Sequence, residues 1–190
     1  MSRFTGCWVA LKAITDNMDS AMGVEIDQAR YSIRLPPPQS LSPDGMNARW
    51  PDTPLDQEER LNRYKIYAAR LFASINGLNR IVIDTPKPRL GIITSGKAYL
   101  DVMEALSLLG IDALEASRLG IRVLKVGMPW PLDPEIVQVF TAGVSEVLVV
   151  EEKRSVIEDQ LTSQLYNLAG AARPRIFGEF DDAGESLLPN

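Results

Sequence analysis

The chain has 190 residues, a net charge of −5 at pH 7 and a hydrophobic fraction of 45%, as in ordinary globular proteins. The acidic balance argues against a nucleic-acid-binding protein, which presents a basic face, and no apolar run is long enough to cross a membrane. Histidine is absent and Cys7 is the single cysteine, so imidazole-dependent triads, internal disulfides and cysteine clusters are excluded. Because no signal-peptide pattern is present, we expect a cytoplasmic protein with no membrane partner and no nucleic-acid partner.

Residues 1–27 are predicted to be the tail of a preceding domain. One amphipathic helix is predicted here, because the following residues recur every three or four positions: Trp8, Leu11, Thr15, Met18 and Met22. A short extended piece is predicted at 24–26. A helix and one strand cannot bury their apolar faces alone, and packing on the rest of the same chain is the open alternative.

Residues 28–54 are predicted to be a proline-rich linker. Three consecutive prolines at 36–38 fix the backbone φ angle and remove hydrogen-bond donors, which disfavours helices and central strands. The linker ends at Thr53 and Pro54, which together are typical of a helix start.

Residues 55–190 are predicted to form an α/β domain with three α/β/α layers and a mostly parallel, Rossmann-like sheet. Short, β-branched runs predict strands at 81–84, 90–93, 121–126, 146–150 and 175–177. Helical spacing of apolar residues predicts helices at 61–75, 97–109, 134–141 and 153–168. Alternating strands and helices favour a parallel sheet with right-handed crossovers.

The stretch GIITSGKA at 91–98 is one residue short of a phosphate-binding loop of the nucleotide-hydrolysing type. Ala98 has no hydroxyl for magnesium, and the two isoleucines belong to the strand, which leaves a loop of only three residues. We therefore reject a nucleotide-hydrolysing site. Two interpretations stay open, and they do not exclude each other. Thr94 or Ser95 caps the following helix while Gly96 supplies backbone freedom, or this helix N-terminus, at Thr94–Lys97, holds an anion with the help of Lys97.

Two further loops follow strands and are expected at the same carboxyl edge of the sheet. The loop GMPWPLDPE at 127–135 reads as a stiff turn with an exposed apolar wall, and binding by such edges is common in open α/β sheets. The run at Glu151 and Glu152 reads as a solvated helix start that suits the helix dipole. The alternative is a buried glutamate at a cofactor or a subunit interface. No catalytic residue and no metal ligand is predicted.

Four segments resemble an interior stretch of indolepyruvate:ferredoxin oxidoreductase in its long fused bacterial form: RWPDTPLDQEERLNRYKIYAA, RLGIITSGKAYLDVMEAL, LGIRVLKVGMPWPLDPE and VLVVEEKRSVIEDQLTSQLYN. SRFTGCWVALKAI is similar to the end of the preceding domain of that enzyme. The resemblance implies a fold like the C-terminal domain of transketolase. It also implies a parent enzyme that decarboxylates indolepyruvate and similar 2-oxoacids oxidatively, with thiamine diphosphate, magnesium, iron–sulfur clusters and coenzyme A, and that passes electrons to ferredoxin.

The chain departs from the family pattern at the motifs that bind thiamine diphosphate and iron–sulfur clusters. It has no Gly-Asp-Gly sequence for thiamine diphosphate and magnesium, and Cys7 alone cannot hold a cluster. We therefore expect no cofactor in this chain, and no family catalytic residue is carried over to it. The first hypothesis is a structural and subunit-interface domain, whose partners are the other domains of the same polypeptide in a homodimeric parent. A module binding coenzyme A or another phosphate ligand at Thr94–Lys97 is the second, and a free-standing interaction domain is the third.

Overall fold

The computed structural model describes residues 1–19, 21, 23–27, 29, 32–38, 41–170, 173–181 and 183–187. It divides into two compact units, Met1–Gly77 and Leu78–Asn190. The predicted start of the α/β domain at 55 differs from this division, because the helical segment before Gly77 belongs to the first unit.

The helices of the first unit are α1 (Ser2–Thr5), α2 (Thr15–Met18), α3 (Pro54–Arg60), a π-helical segment (Leu61–Lys65) and α4 (Ile66–Ile75). The predicted single helix over residues 8–22 is wrong, and Met22 lies outside the described residues. Gly6 ends α1 with a left-handed backbone, φ 64°, and residues 6–14 are not helical. Trp8 and Leu11 are almost fully exposed, so these two residues of the apolar stripe pack on none of the described residues.

The segment from α3 to α4 is fixed at both ends by contacts of its own unit. Thr53 caps α3 as predicted, since its side chain accepts from the Asp56 amide while the Asp56 carboxylate accepts from the Thr53 amide. Phe72 of α4 packs on Phe4 with 5.9 Å between ring centroids, and Lys65 Nζ donates to the Gly6 carbonyl at 3.1 Å. These contacts explain why α3 and α4 group with the N-terminal segment.

The second unit contains a five-stranded sheet in the order β1-β3-β2-β4-β5. Its strands are β1 (Arg80–Ile83), β2 (Leu90–Ser95), β3 (Ile121–Val126), β4 (Glu146–Val150) and β5 (Arg175–Phe177). All neighbours pair in parallel except β1 and β3, which are antiparallel. β1 cannot run parallel to β2 because only residues 84–89 join them, too few for a crossover.

Helices cover both faces of this sheet. They are α5 (Gly96–Leu108), α6 (Ala113–Leu119), α7 (Pro134–Thr141) and α8 (Val156–Leu165). On one face, α5 and α6 pack on Ile92 and Val123; on the other, α7 and α8 pack on Ile93 and Leu124. The predicted three-layer α/β/α fold with a mostly parallel sheet is confirmed.

The strands at 121–126, 146–150 and 175–177 and the helix at 134–141 have the predicted bounds, and the predicted helix at 153–168 is shorter in the structure. Helix α6 was not predicted. Its apolar positions are weak signals because Leu114 is 81% exposed and only Ala116 is buried. Its ends carried a clear signal, since Asp112 caps it and Gly120 follows it with φ 80°.

Candidate functional site

The connections of the sheet define one crevice at its carboxyl edge. β2 leads into α5 on one face, whereas β4 leads into α8 on the opposite face. When two neighbouring parallel strands connect to helices on opposite faces, a crevice forms outside their carboxyl ends. This crevice is the usual ligand position in open α/β sheets. The structure therefore places the predicted residues Thr94–Lys97 and Glu151–Glu152 at the ends of two adjacent strands.

Neither hydroxyl at the start of α5 caps the helix. Ser95 occupies the N-cap position with an extended backbone, φ −143° and ψ 161°, yet within the described chain its side chain makes no capping hydrogen bond. Thr94 is fully buried, and its Oγ1 has no hydrogen-bond partner among the residues that the structure describes. The capping interpretation of these two side chains is therefore wrong. Lys97 forms an ion pair with Asp101 one turn further along, with 2.8 Å between Nζ and Oδ2.

A second lysine lies beside this helix start. Lys125 of β3 is the register partner of Thr94. Its Nζ lies 4.3 Å from the ring centroid of Tyr99, which belongs to the first turn of α5. A cation held over an aromatic face is stabilised by the ring quadrupole. Two lysines thus lie at the first turn of α5: Lys125 over the Tyr99 ring, and Lys97 in its ion pair with Asp101.

The carboxylate of Glu151 accepts hydrogen bonds from the first backbone amides of α8. The Ile157 amide donates to both carboxylate oxygens, at 3.0 and 2.9 Å, and the Glu158 amide donates to Oε1 at 3.1 Å. Glu151 is partly buried rather than solvated, and this burial raises the pKa of its carboxyl above the ordinary 4.5, against the opposing effect of the backbone amides at the start of α8. Glu151 thus accepts hydrogen bonds at the start of a helix, as expected of an acidic residue there, but its carboxylate is partly buried and not fully solvated as the sequence suggested.

Glu151 also lines a cleft of about 250 Å³ between the ends of β4 and β5. Leu148 and Leu187 form its apolar walls, and Arg154 and Glu158 add charge. The Glu179 amide donates to Glu158 Oε2 at 2.8 Å, which ties the segment after β5 to α8.

The shifted pKa of Glu151 predicts a specific pH dependence. The Glu151 carboxyl has a higher pKa in the folded chain than in the unfolded chain, so the folded chain keeps this proton to a higher pH. The unfolding free energy of wild type therefore falls as the pH rises from the unfolded pKa through the folded pKa. We expect the unfolding free energy of Glu151→Gln, relative to wild type, to increase between about pH 4 and about pH 8. Urea unfolding at several pH values measures this, with Glu152→Gln as the control for loss of one negative charge. A relative stability of Glu151→Gln that falls with pH would contradict the assignment.

The loop between β3 and α7 is held by side-chain amides. Asn79 Oδ1 accepts from the Gly127 and Met128 amides at 3.0 and 2.9 Å. Gln160 accepts from the Leu132 amide at 2.8 Å and donates to the Pro129 carbonyl at 2.7 Å. The stiff turn predicted for this loop is thus anchored by Asn79, just before β1, and by Gln160 of α8, and it displays Trp130, which is 63% exposed.

Asn79→Ala is expected to loosen this loop. Two backbone amides lose their acceptor, and leaving such groups unpaired costs about 1–3 kcal/mol of unfolding free energy. Hydrogen exchange at Gly127 and Met128 should accelerate, and Asn167→Ala at an exposed position is the control. Unchanged exchange at both amides would show that Asn79 does not hold the loop.

Sequence reasoning missed Lys125, Tyr99 and Asn79. The alternation along β3 carried a signal for Lys125, because Lys125 shares a face with the buried Val123 and lies opposite Thr94. Nothing local in the sequence indicates that Asn79, just before the first strand, would reach a loop almost fifty residues later.

A comparison with protein-family models matches residues 79–188, more than half of the chain, to the indolepyruvate ferredoxin oxidoreductase middle domain. This chain belongs to that family. The matched region coincides with the second unit and includes the whole sheet and the crevice. The relation proposed from the sequence segments is therefore confirmed.

Curated relatives of this middle domain are named indolepyruvate oxidoreductase subunit IorA. The protein of Methanothermobacter marburgensis is 36% identical over 97 residues, which cover 51% of this chain and 14% of that protein. That of Pyrococcus abyssi is 38% identical over 73 residues, covering 38% of this chain and 10% of its own length. The protein of Methanothermobacter thermautotrophicus is 32% identical over 109 residues, which cover 57% of this chain and 16% of that protein. The chain thus matches about a sixth or less of the length of these relatives.

Two solved structures resemble the chain at a TM-score of 0.42. One is a split-gene transketolase in an inactive beta4 tetramer, 18% identical, covering 58% of this chain and 35% of that chain. The other is 2-oxoglutarate:ferredoxin oxidoreductase from Magnetococcus marinus with 2-oxoglutarate, coenzyme A and succinyl-CoA bound. It is 14% identical, and the match covers 70% of this chain and 21% of that chain. Nothing about ligands or activity follows from either likeness.

The described residues contain no group of three or more potential metal-ligating histidine, cysteine, aspartate or glutamate side chains. No helix in this part of the chain is long and apolar enough to cross a membrane.

Proposed function

We propose that this chain is a structural and subunit-interface domain of a thiamine-diphosphate-dependent 2-oxoacid:ferredoxin oxidoreductase that acts on indolepyruvate. The observation that carries the proposal is the family match over residues 79–188. The curated relatives are named as subunits of indolepyruvate oxidoreductase, and their length leaves room for several further domains. Those domains are the proposed partners of this one, within a cytoplasmic and homodimeric enzyme that reduces ferredoxin.

The cofactors of the parent enzyme are proposed to lie in its other domains. Thiamine diphosphate with magnesium needs carboxylate and amide ligands, and iron–sulfur clusters need several thiolates. The sequence supports this assignment, because Cys7 is its single thiol and it contains no Gly-Asp-Gly sequence. Coenzyme A as a co-substrate is likewise assigned to the parent, and the isolated chain is proposed to be inactive.

Exposed apolar side chains support an interface role for the second unit. Leu108 and Leu109 at the end of α5 and Leu114 in α6 are each more than 70% exposed, within seven residues of one another. Trp130 adds an exposed aromatic side chain on an anchored loop. Exposed apolar clusters of this kind mark contact surfaces more often than isolated apolar residues do.

Immunodepletion tests the proposal directly. Antibody raised against this chain should remove indolepyruvate-dependent, coenzyme-A-dependent reduction of ferredoxin from an extract of the source cells. Pre-immune antibody is the control and should leave the activity in solution. Full activity remaining after complete removal of the antigen would overturn the proposal.

A further inference from the structure

We propose that the N-terminus of α5 binds a phosphate group, a function beyond the structural role above. The amides of Gly96 and Ala98 would hold it, together with the hydroxyl of Thr94 and the ammonium of Lys125. The proposal is independent of the parent enzyme and of its cofactors.

The first argument is that no acidic side chain among the described residues caps α5. The other helices of the second unit each begin with an acidic acceptor: Asp112 for α6, Asp133 for α7 and Glu151 for α8. In α5 the N-cap side chain of Ser95 makes no capping bond within the described chain, and the first turn has no acidic residue. Within the described residues, the partial positive charge at the N-terminus of this 13-residue helix therefore lacks the acidic acceptor that the neighbouring helices have.

The second and independent argument is the hydroxyl of Thr94. Thr94 is fully buried, and its Oγ1 is without a hydrogen-bond partner among the described residues. Alternation along β2 places this side chain on the same face as Ile92, which packs with Val102 and Leu106 of α5. The hydroxyl therefore lies on the α5 side of the sheet, two residues before the helix begins. A buried polar group without a partner is costly, and an anion at the first turn of α5 would supply the missing partner.

Charge and space favour a phosphate. Lys125 Nζ is held over the Tyr99 ring at the first turn, and Lys97 stands in that turn as an ion pair with Asp101. A Cβ atom built on Gly96 would meet nothing within 4 Å, so the backbone is open to an approaching group. A compact dianion suits several converging amides and an ammonium better than a neutral or cationic ligand does.

The experiment uses the whole chain and inorganic phosphate as the probe. The thermal unfolding midpoint is measured against phosphate concentration, with sodium chloride at equal ionic strength as the reference. Phosphate should raise the midpoint saturably, and amide resonances of Gly96 and Ala98 should shift in the same titration. Thr94→Val and Lys125→Gln should each weaken the apparent affinity by about tenfold, because each removes a hydrogen bond to a charged group.

Matched controls separate a site from a general salt effect. Thr162→Val changes an exposed threonine in the same way as Thr94→Val, and Arg118→Gln removes one positive charge as Lys125→Gln does. Both controls should keep the affinity of wild type. Without phosphate, Thr94→Val should be at least as stable as wild type, since it removes an unpaired hydroxyl. A repeat with ribose 5-phosphate distinguishes the source: tighter binding than inorganic phosphate indicates a phosphorylated ligand, and equal binding indicates the free ion.

Three results would overturn the proposal. One is the absence of any stabilisation of wild type by phosphate beyond that of chloride. Another is an equal response of Thr94→Val, Lys125→Gln and their controls, which indicates diffuse charge screening. The last is a Thr94→Val chain that is less stable than wild type without phosphate, because the hydroxyl would then have a partner within the protein.

Discussion

Phe140→Ala is expected to lower the unfolding free energy of the second unit by about 3–5 kcal/mol. Phe140 is fully buried in α7, and it packs in the cluster formed by β2, β3, β4, α7 and α8. Removing the ring takes apolar area out of the core and leaves a cavity that the surrounding strands can fill only in part. Urea unfolding followed by circular dichroism measures the loss. Val139→Ala, at the exposed neighbouring position, is the control and should change the free energy by about 0.5 kcal/mol or less.

The same ring predicts a coupling to Gly91. A Cβ atom at Gly91 would lie 2.6 Å from Phe140 Cζ, so the glycine at the start of β2 makes room for the ring tip. Gly91→Ala is expected to cost about 1–3 kcal/mol by overpacking. In a Phe140→Leu background the cost of Gly91→Ala should be smaller, because the shorter side chain vacates the contact. Strictly additive effects in this double-mutant cycle would contradict the described packing.

Arg122→Met is expected to cost about 2–4 kcal/mol, because it removes the side chain that closes the end of α7. Arg122 lies in β3 and is 9% exposed. Its Nη1 donates to the carbonyls of Val139, Phe140 and Ala142 at 3.0–3.1 Å, and its Nε donates to Asp84 at 2.7 Å. The Val139 and Phe140 carbonyls belong to the last turn of α7 and Ala142 is its C-cap, so these carbonyls have no later amide of the helix to pair with.

Two companion variants separate charge from geometry at this position. Arg122→Lys keeps the charge but not the planar fork of donors, so its stability should fall between wild type and Arg122→Met. Arg118→Met breaks an exposed ion pair with Glu115 and should cost about 0.5 kcal/mol or less. If Arg122→Met costs no more than Arg118→Met, the described role of Arg122 in closing α7 is wrong.

The sequence predicted most of the second unit because its strands are short apolar runs with clear ends. The runs at 121–126 and 146–150 are β-branched and bounded by Gly120, Gly127 and the acidic pair after Val150. The direction of β1 was not predicted, although the short connection at 84–89 excludes a parallel crossover to β2. The N-terminal helix was predicted wrongly because periodicity indicates an amphipathic face without showing that a surface exists to cover it.

The candidate site could be predicted in position but not in detail. Residues that follow strands meet at one sheet edge, so Thr94–Lys97 and Glu151 could be placed there from topology alone. Whether a hydroxyl caps a helix or stays unpaired depends on packing. Thr94 therefore looked like a possible cap, and Glu151 looked like a solvated charge. The contact between Lys125 and Tyr99 requires that β3 lies next to β2, and this order of the strands could not be predicted from the sequence.

The mass of the native polypeptide that carries this sequence tests the central claim most directly. An immunoblot of source-cell extract, with antibody raised to this chain, compares it with the 21.0 kDa of the chain itself. A band several times larger is predicted, because the matched region covers about a sixth or less of the curated relatives. A single band at the mass of this chain would contradict its assignment as one domain of a larger oxidoreductase subunit.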